Sequence, residues 1–418
     1  MNILIQGCTI IDTNSPYNGK INDVLIVDGT IIKIATNISA KAKLVNGKGK
    51  YLSVGFFDLN ANLGELGFEN KEDFETGSKA AMAGGFTGLS LMPNTLPTVD
   101  AKAQVQYLLN RAKGNLVDMY PIGTISQKRE GQHLAEMYDM QQAGAIAFSD
   151  GDLPLQDAGL MERALLYTNG FNGLIMAIAE DKQLAAGAKV NEGITSTLLG
   201  LKGIPNLAEE LMVNRNIYLA QHTNSKIHFS TISTAHSVEL IKKAKQNGLP
   251  ITCDVAAHHL VLTDDVLHDF DSNYKVKPPL RIQKDVDALL AGINDNTIDA
   301  IVSQHTPQET ELKQVEFEIA AYGIIGLQSA LPLAVKAGLS ATKIVDKMAI
   351  NPRKILGLHL PIIGENQKAN VVLFDMDTEW KYTTENNYSK SSNSPFLNTV
   401  LKGKVWLCVN NGQVYEET

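Results

Sequence analysis

Ser53–Thr95 reads SVGFFDLNANLGELGFENKEDFETGSKAAMAGGFTGLSLMPNT, and its succession of element types decides the fold. Val54–Leu59 is a short apolar run of the kind found in buried parallel strands. An Ala/Gly-rich helix is expected from about Lys71 to Gly84, and Thr87–Met92 supplies a second apolar strand. Strand, helix and strand in that order make a βαβ unit, in which chemistry gathers at the C-terminal ends of the strands. Here that end carries Asn60 and Asn62, whose i, i+2 spacing turns both side chains to one face.

The same grammar continues outward. Met119–Ile125, Ala145–Phe148, Gly173–Ala179, Lys226–Ile232, Pro250–Val255 and Ile298–Val302 are further apolar runs, separated by helical stretches such as Lys102–Lys113 and Ser237–Asn247. Eight candidate strands with helices between them predict an α/β fold, a (β/α)8 TIM-like barrel over residues 53–364. The flanks, 1–52 and 365–418, are instead short strands and turns, with hairpin signals at Asp28-Gly29 and Asn411-Gly412. They predict one small β-sandwich domain built from both termini. Asp264–Arg281 and Thr306–Gly323 follow barrel strands, where lids and substrate loops sit.

A formal charge of -8 without a Lys/Arg-rich run argues against nucleic acid or an anionic membrane as partner. No apolar run is long enough to span a bilayer, and Met1–Gly7 lacks a basic leader, so a cytoplasmic protein is expected. Cys8, Cys253 and Cys408 show no CxxC spacing and read as buried, reduced thiols. A hydrolytic zinc site needs several imidazoles and carboxylates converging on the metal. Neither H-x-H nor H-E-x-x-H occurs in the chain.

From Gly29 to the last strand the chain resembles the dihydroorotases of the amidohydrolase superfamily. The frame is carried by Gly55, Phe56, Asp58, Glu65, Gly67, Phe68, Lys71-Glu72-Asp73, Thr76-Gly77, Gly84-Gly85-Phe86-Thr87 and Met92-Pro93-Asn94-Thr95. The resemblance places the family's zinc-binding histidines at Asn60, Asn62, Ile178 and Thr231, and its catalytic aspartate at Gln304. The metal-bridging aspartate falls at Gly151 in AFSDGD, with Asp150 before it and Asp152 just beyond. Among substrate-pocket positions, Gly64 stands for an arginine, Lys277 for an asparagine and Gln308 for a histidine, while Asn94 is kept. Asn94 reads equally as a turn residue or a ligand contact, and Lys277 and Arg281 as parts of a solvated loop. His258, His259 and His305 are expected to be hydrogen-bonded structural residues. His133, His222, His236, His268 and His359 are expected on the surface.

The resemblance implies pyrimidine biosynthesis as the setting. With no zinc expected, it implies a catalytically inactive scaffold or regulatory partner of aspartate carbamoyltransferase, in an oligomer of like or unlike chains. Two other readings stay open. One is an active dihydroorotase interconverting N-carbamoyl-L-aspartate and dihydroorotate around a degenerate metal site. The other is a sensor that keeps a pocket for a pyrimidine precursor without turning it over.

Overall fold

The structure is a computed structural model and describes residues 2–417. Eight strands, β1 (Phe56–Ala61), β2 (Phe86–Leu91), β3 (Asp118–Gly123), β4 (Ala147–Phe148), β5 (Ile175–Ile178), β6 (Ile227–Ser230), β7 (Ile251–Ala256) and β8 (Ala300–Val302), pair in parallel in chain order. Every residue of β1 and β2 is buried, as expected of parallel strands covered on both faces. Each apolar run predicted between Val54 and Val302 therefore becomes a barrel strand. β1 and β8 meet through a parallel bridge between Ala61 and His305, where Asn62 N donates to His305 O at 2.9 Å. Below that bridge the fully buried Asp58 carboxylate accepts from Ser303 N at 3.0 Å and from Ser303 Oγ.

The two termini join in one mixed nine-stranded sheet. Its first strand, Asn2–Ile11, runs parallel to Lys43–Asn46 along one half and to Tyr51–Val54 along the other. Gly7, at φ +69°, lies where the register of that strand shifts. Tyr51–Val54 also pairs with Val371–Lys381, which knits the C-terminal strands to the N-terminal ones just ahead of β1. Phe374 of this sheet packs on Phe56 of β1 at 5.5 Å between ring centroids, so sheet and barrel share apolar packing.

The first crossover helix is shorter than its apolar pattern suggests. It spans Phe74–Ala83, because Asp73 caps it, accepting from Glu75 N at 3.0 Å and Thr76 N at 2.9 Å. Lys71 and Glu72 are thereby released from the helix to serve the barrel mouth. Among the described residues no helix is long and apolar enough to cross a membrane. Cys8, Cys253 and Cys408 are free and buried.

Two lid segments over the mouth are tied together by buried lysines. Lys275 Nζ donates to the carbonyls of Phe317 (2.7 Å), Glu318 (2.9 Å) and Ala320 (2.6 Å). In return Lys313 Nζ donates to Ser272 O (2.6 Å), Ala321 O (3.0 Å) and Gly323 O (3.1 Å). Burial lowers both ammonium pKa values to about 8. Between about pH 8 and the unfolded value near 10.5, the unfolded chain holds protons that these folded lysines have released. Their contribution to stability therefore rises with pH across that window. Replacing both (Lys275→Met with Lys313→Met) should loosen the lids to limited proteolysis. In denaturant titrations the wild type should gain on this double variant between pH 8 and 10, by on the order of 1 kcal/mol per lysine.

Candidate functional site

The C-terminal ends of the barrel strands open on a cavity of about 380 Å³. The fold brings Asn60, Asn62, Gly64, Asn94, Gly151, Asp152, Ile178, Lys277, Gln304 and Gln308 around it. Two of the sequence-derived positions, Asp150 and Thr231, stand outside its lining.

The mouth is built from side chains that mostly satisfy one another. Asn60 Nδ2 donates to Thr231 Oγ1 at 3.4 Å, and Asn62 Nδ2 donates to His305 O and Thr306 Oγ1, both at 3.2 Å. Gln304 Nε2 donates to Lys277 O at 2.8 Å. Thr231 and Gln304 take left-handed backbone conformations, φ +54° and +50°, at the turns that end β6 and β8. Behind Thr231 lies a fully buried pair: Asp254 Oδ1 accepts from Thr231 N at 2.7 Å, and Asp254 Oδ2 meets His228 Nε2 at 2.8 Å. Among the described residues, no three His, Cys, Asp or Glu side chains converge as a metal-holding group.

The carboxylates nearest the site are already committed. Asp150 is buried and accepts from Ile125 N at 2.9 Å, Ser126 N at 3.0 Å and Ser126 Oγ. Burial pushes its carboxyl pKa up, against these hydrogen bonds. Asp152 sits at the rim, largely exposed and paired with Arg129.

Gly64 and Gly151 are both closely fitted. A Cβ on Gly64, which has φ +72°, would lie 2.2 Å from Glu72 O and 2.4 Å from Phe68 O. A Cβ on Gly151, at φ +60°, would lie 1.6 Å from Asn94 Oδ1, so the Asn94 amide fills the space beside it. Asn94 thus lines the cavity, and its Oδ1 is buried without a hydrogen-bond partner.

Two expectations need correction. Arg281 is 2% exposed, donating to Ser233 Oγ, Asn191 Oδ1, Ile204 O and Asn206 Oδ1, and facing Glu209 at 3.7 Å. Lys277 is half-buried and paired with Glu180 at 2.9 Å. Neither belongs to a solvated loop, because the first lid folds inward from Tyr274 to Arg281. Of the three inner histidines, His305 Nε2 meets Glu72 Oε2 at 3.3 Å while its Nδ1 accepts from Gly326 N at 3.2 Å. His259 Nε2 donates to Pro278 O at 3.1 Å. The buried His258 Nε2, by contrast, has no partner. Burial lowers the pKa of both neighbours, that of His259 to about 4, so this pair is neutral at pH 7. His133, His222, His236, His268 and His359 are exposed, as expected.

Arg129, Tyr322 and Lys71 also line the cavity and were not singled out as site residues from the sequence. Arg129 ends a single 3-10 turn and Tyr322 lies in an irregular segment, neither of which carries a periodic pattern. Lys71 gave a signal, but as part of the Lys-Glu-Asp frame.

A parallel eight-stranded barrel, a terminal sheet fused to it and a cavity at the strand ends define the amidohydrolase class. Residues 157–406 match the amidohydrolase family profile, and residues 49–237 match the dihydro-orotase-like profile. The dihydroorotase of Acetivibrio thermocellus is 42% identical over 99% of this chain and 98% of its own. That of Pelotomaculum thermopropionicum is 41% identical, again over 99% and 98%. Among solved structures, the L-hydantoinase (dihydropyrimidinase) of Arthrobacter aurescens superposes with a TM-score of 0.86 at 22% identity. It covers 99% of this chain and 96% of that one, a likeness of fold. The chain belongs to the dihydroorotase family of the amidohydrolase superfamily.

The close fit around Gly64 is directly testable. Gly64→Ala should destabilise the fold by roughly 2–4 kcal/mol, from the left-handed backbone and the two carbonyl clashes. A shift of the urea midpoint at unchanged slope would report it; an unmoved midpoint would show that the turn relaxes freely.

Proposed function

We propose that this chain serves pyrimidine biosynthesis as a dihydroorotase-family protein without metal-dependent hydrolysis, acting as a scaffold or regulatory partner of aspartate carbamoyltransferase. The observation that carries this reading is the donor set at the barrel mouth. The family's zinc pair would need imidazoles and carboxylates there. The positions hold Asn60, Asn62, Ile178, Thr231 and Gln304, and the amide N–H groups of the three amides already donate within the protein. Ile178 offers no donor atom, Asp150 is spent on backbone and Ser126, and Asp152 is paired at the rim. These residues do not fit a zinc pair. Gln304, a neutral amide, cannot take a proton from an attacking water as a carboxylate would.

A second reading is favoured by the full-length likeness to proteins named dihydroorotase, 42% and 41% identical. On that reading the chain interconverts N-carbamoyl-L-aspartate and dihydroorotate. The amide of the dihydroorotate ring is a poor electrophile, and its opening requires an activated water. Taken by themselves, the comparisons favour this reading; the side chains at the mouth favour the first.

One experiment separates them. The purified, untagged chain is incubated with zinc and desalted, and its metal content and dihydroorotate turnover are then measured. The first reading expects zinc far below one per chain and no turnover above a blank preparation. Near-stoichiometric zinc with chelator-sensitive turnover would establish the second. Co-elution with the carbamoyltransferase from the same source in size-exclusion chromatography is the expected sign of the scaffold role.

A further inference from the structure

The barrel has a second cavity, of about 310 Å³, at the end opposite the mouth. Phe57, Gly88 and Asp118 lie side by side there, near the N-terminal ends of β1, β2 and β3. The terminal sheet closes the other side with Lys368 and Asn410. Arg353 stands against this cavity and is 4% exposed. Its Nη1 donates to Gly55 O at 2.7 Å and Ala349 O at 2.8 Å, and its Nη2 to Thr87 Oγ1 at 3.1 Å. The Nε–H and the second Nη2–H are left without an acceptor among the described residues. The one carboxylate in the cavity lining, Asp118, forms no ion pair with Arg353. It accepts instead from Asn410 Nδ2 at 3.0 Å and Asn411 Nδ2 at 2.8 Å. Burial lowers the Arg353 pKa to about 10, which leaves it cationic at pH 7. A buried cation without an ion-pair partner is costly, and an anion in the adjoining cavity would offset that cost.

Two further donors border the same space. The Tyr120 hydroxyl has no hydrogen-bond partner among the described residues, and burial raises its pKa, so it keeps its proton at pH 7. Neither this hydroxyl nor the Arg353 Nε is sealed from solvent, so both open on the cavity. At the rim, the exposed Lys368 has no carboxylate partner among the described residues. The Phe57 and Tyr120 rings, 5.5 Å apart, join Pro361 and Ile362 in an apolar wall. A phosphate monoester offers such donors more oxygens than a carboxylate does, in a tetrahedral array. A concave site with an apolar wall and a few convergent polar groups suits a small molecule.

We propose that this second cavity binds a small organic phosphate. Its oxygens accept from Arg353, Tyr120 and Lys368, and its apolar body lies along Tyr120, Pro361 and Ile362. The site is separate from the mouth and independent of whether the mouth hydrolyses anything.

The test is isothermal titration of the full chain at low salt with phenyl phosphate, inorganic phosphate and benzoate. Phenyl phosphate should bind at least about fivefold more tightly than inorganic phosphate, which lacks the ring, or benzoate, which lacks the phosphate. Tyr120→Phe should weaken phenyl phosphate by about fivefold, Lys368→Ala by about threefold and Arg353→Met by about tenfold or more. Thermal melts without ligand check that each variant is folded. Should Arg353→Met fail to fold, Tyr120→Phe and Lys368→Ala still decide. Lys71→Met, which alters the lining of the mouth, should leave the affinity unchanged. Undiminished affinity in both Tyr120→Phe and Lys368→Ala would overturn the proposal, as would a loss in Lys71→Met instead. So would benzoate or inorganic phosphate binding as tightly as phenyl phosphate, or no binding of any probe.

Discussion

The barrel depends on one buried carboxylate. Asp58 joins the first strand to the last through both the main chain and the hydroxyl of Ser303, and it is fully removed from water. Burial raises its pKa to about 7, in opposition to the Ser303 hydrogen bonds. With that seam closed, two residues further along β1 Asn60 is placed at the mouth, and Asn62 follows just beyond the strand. Ser303 likewise fixes the turn that presents Gln304 and His305. The residues that close the barrel and those that face its cavity are thus immediate neighbours in the chain. A sequence can therefore specify the closure of the barrel separately from what faces its cavity.

What occupies the mouth is physically coherent without a cation. Imidazoles and carboxylates crowded at the strand ends would repel or lose solvation unless a metal held them. Here Asn60, Thr231 and the buried Asp254–His228 pair form a connected hydrogen-bonded set instead. Glu72 and His305 form another beside it, with Ser389 and Lys390 N donating to Glu72 from the late loop. His305, Ser389 and Thr76 hold the Glu72 carboxyl below its ordinary pKa despite its burial. The first helix, the last barrel turn and the C-terminal region therefore converge on a single buried carboxylate.

Much of this was legible in the sequence, for identifiable reasons. The barrel strands were readable because buried parallel strands are continuous apolar runs, and the sheet partners because Asp-Gly and Asn-Gly mark hairpins. The start of the first helix was misjudged by three residues, since the pattern could not show that Asp73 caps it while Glu72 turns to the core. Arg281 and Lys275 were illegible as buried groups. A charged residue in a loop rich in Asp, Lys and Pro reads as solvated until the carbonyls and carboxylates that surround it are known. Nor could the sequence show that Gly64 and Gly151 are hemmed in by Phe68, Glu72 and Asn94, contacts that exist only once the loops are folded.

Those two glycines bear on how the family likeness should be weighed. Identity over the full chain samples mainly the frame: strands, caps, turns and the seam at Asp58. The mouth contributes few positions, so the side chains at Asn60, Asn62, Ile178, Thr231 and Gln304 weigh little in an overall identity of 42%. A neutral substitution on an otherwise unchanged mouth could be undone one residue at a time. At Gly64 and Gly151 the surroundings are close, with carbonyls against one and the Asn94 amide against the other, so no larger side chain enters either position without moving its neighbours.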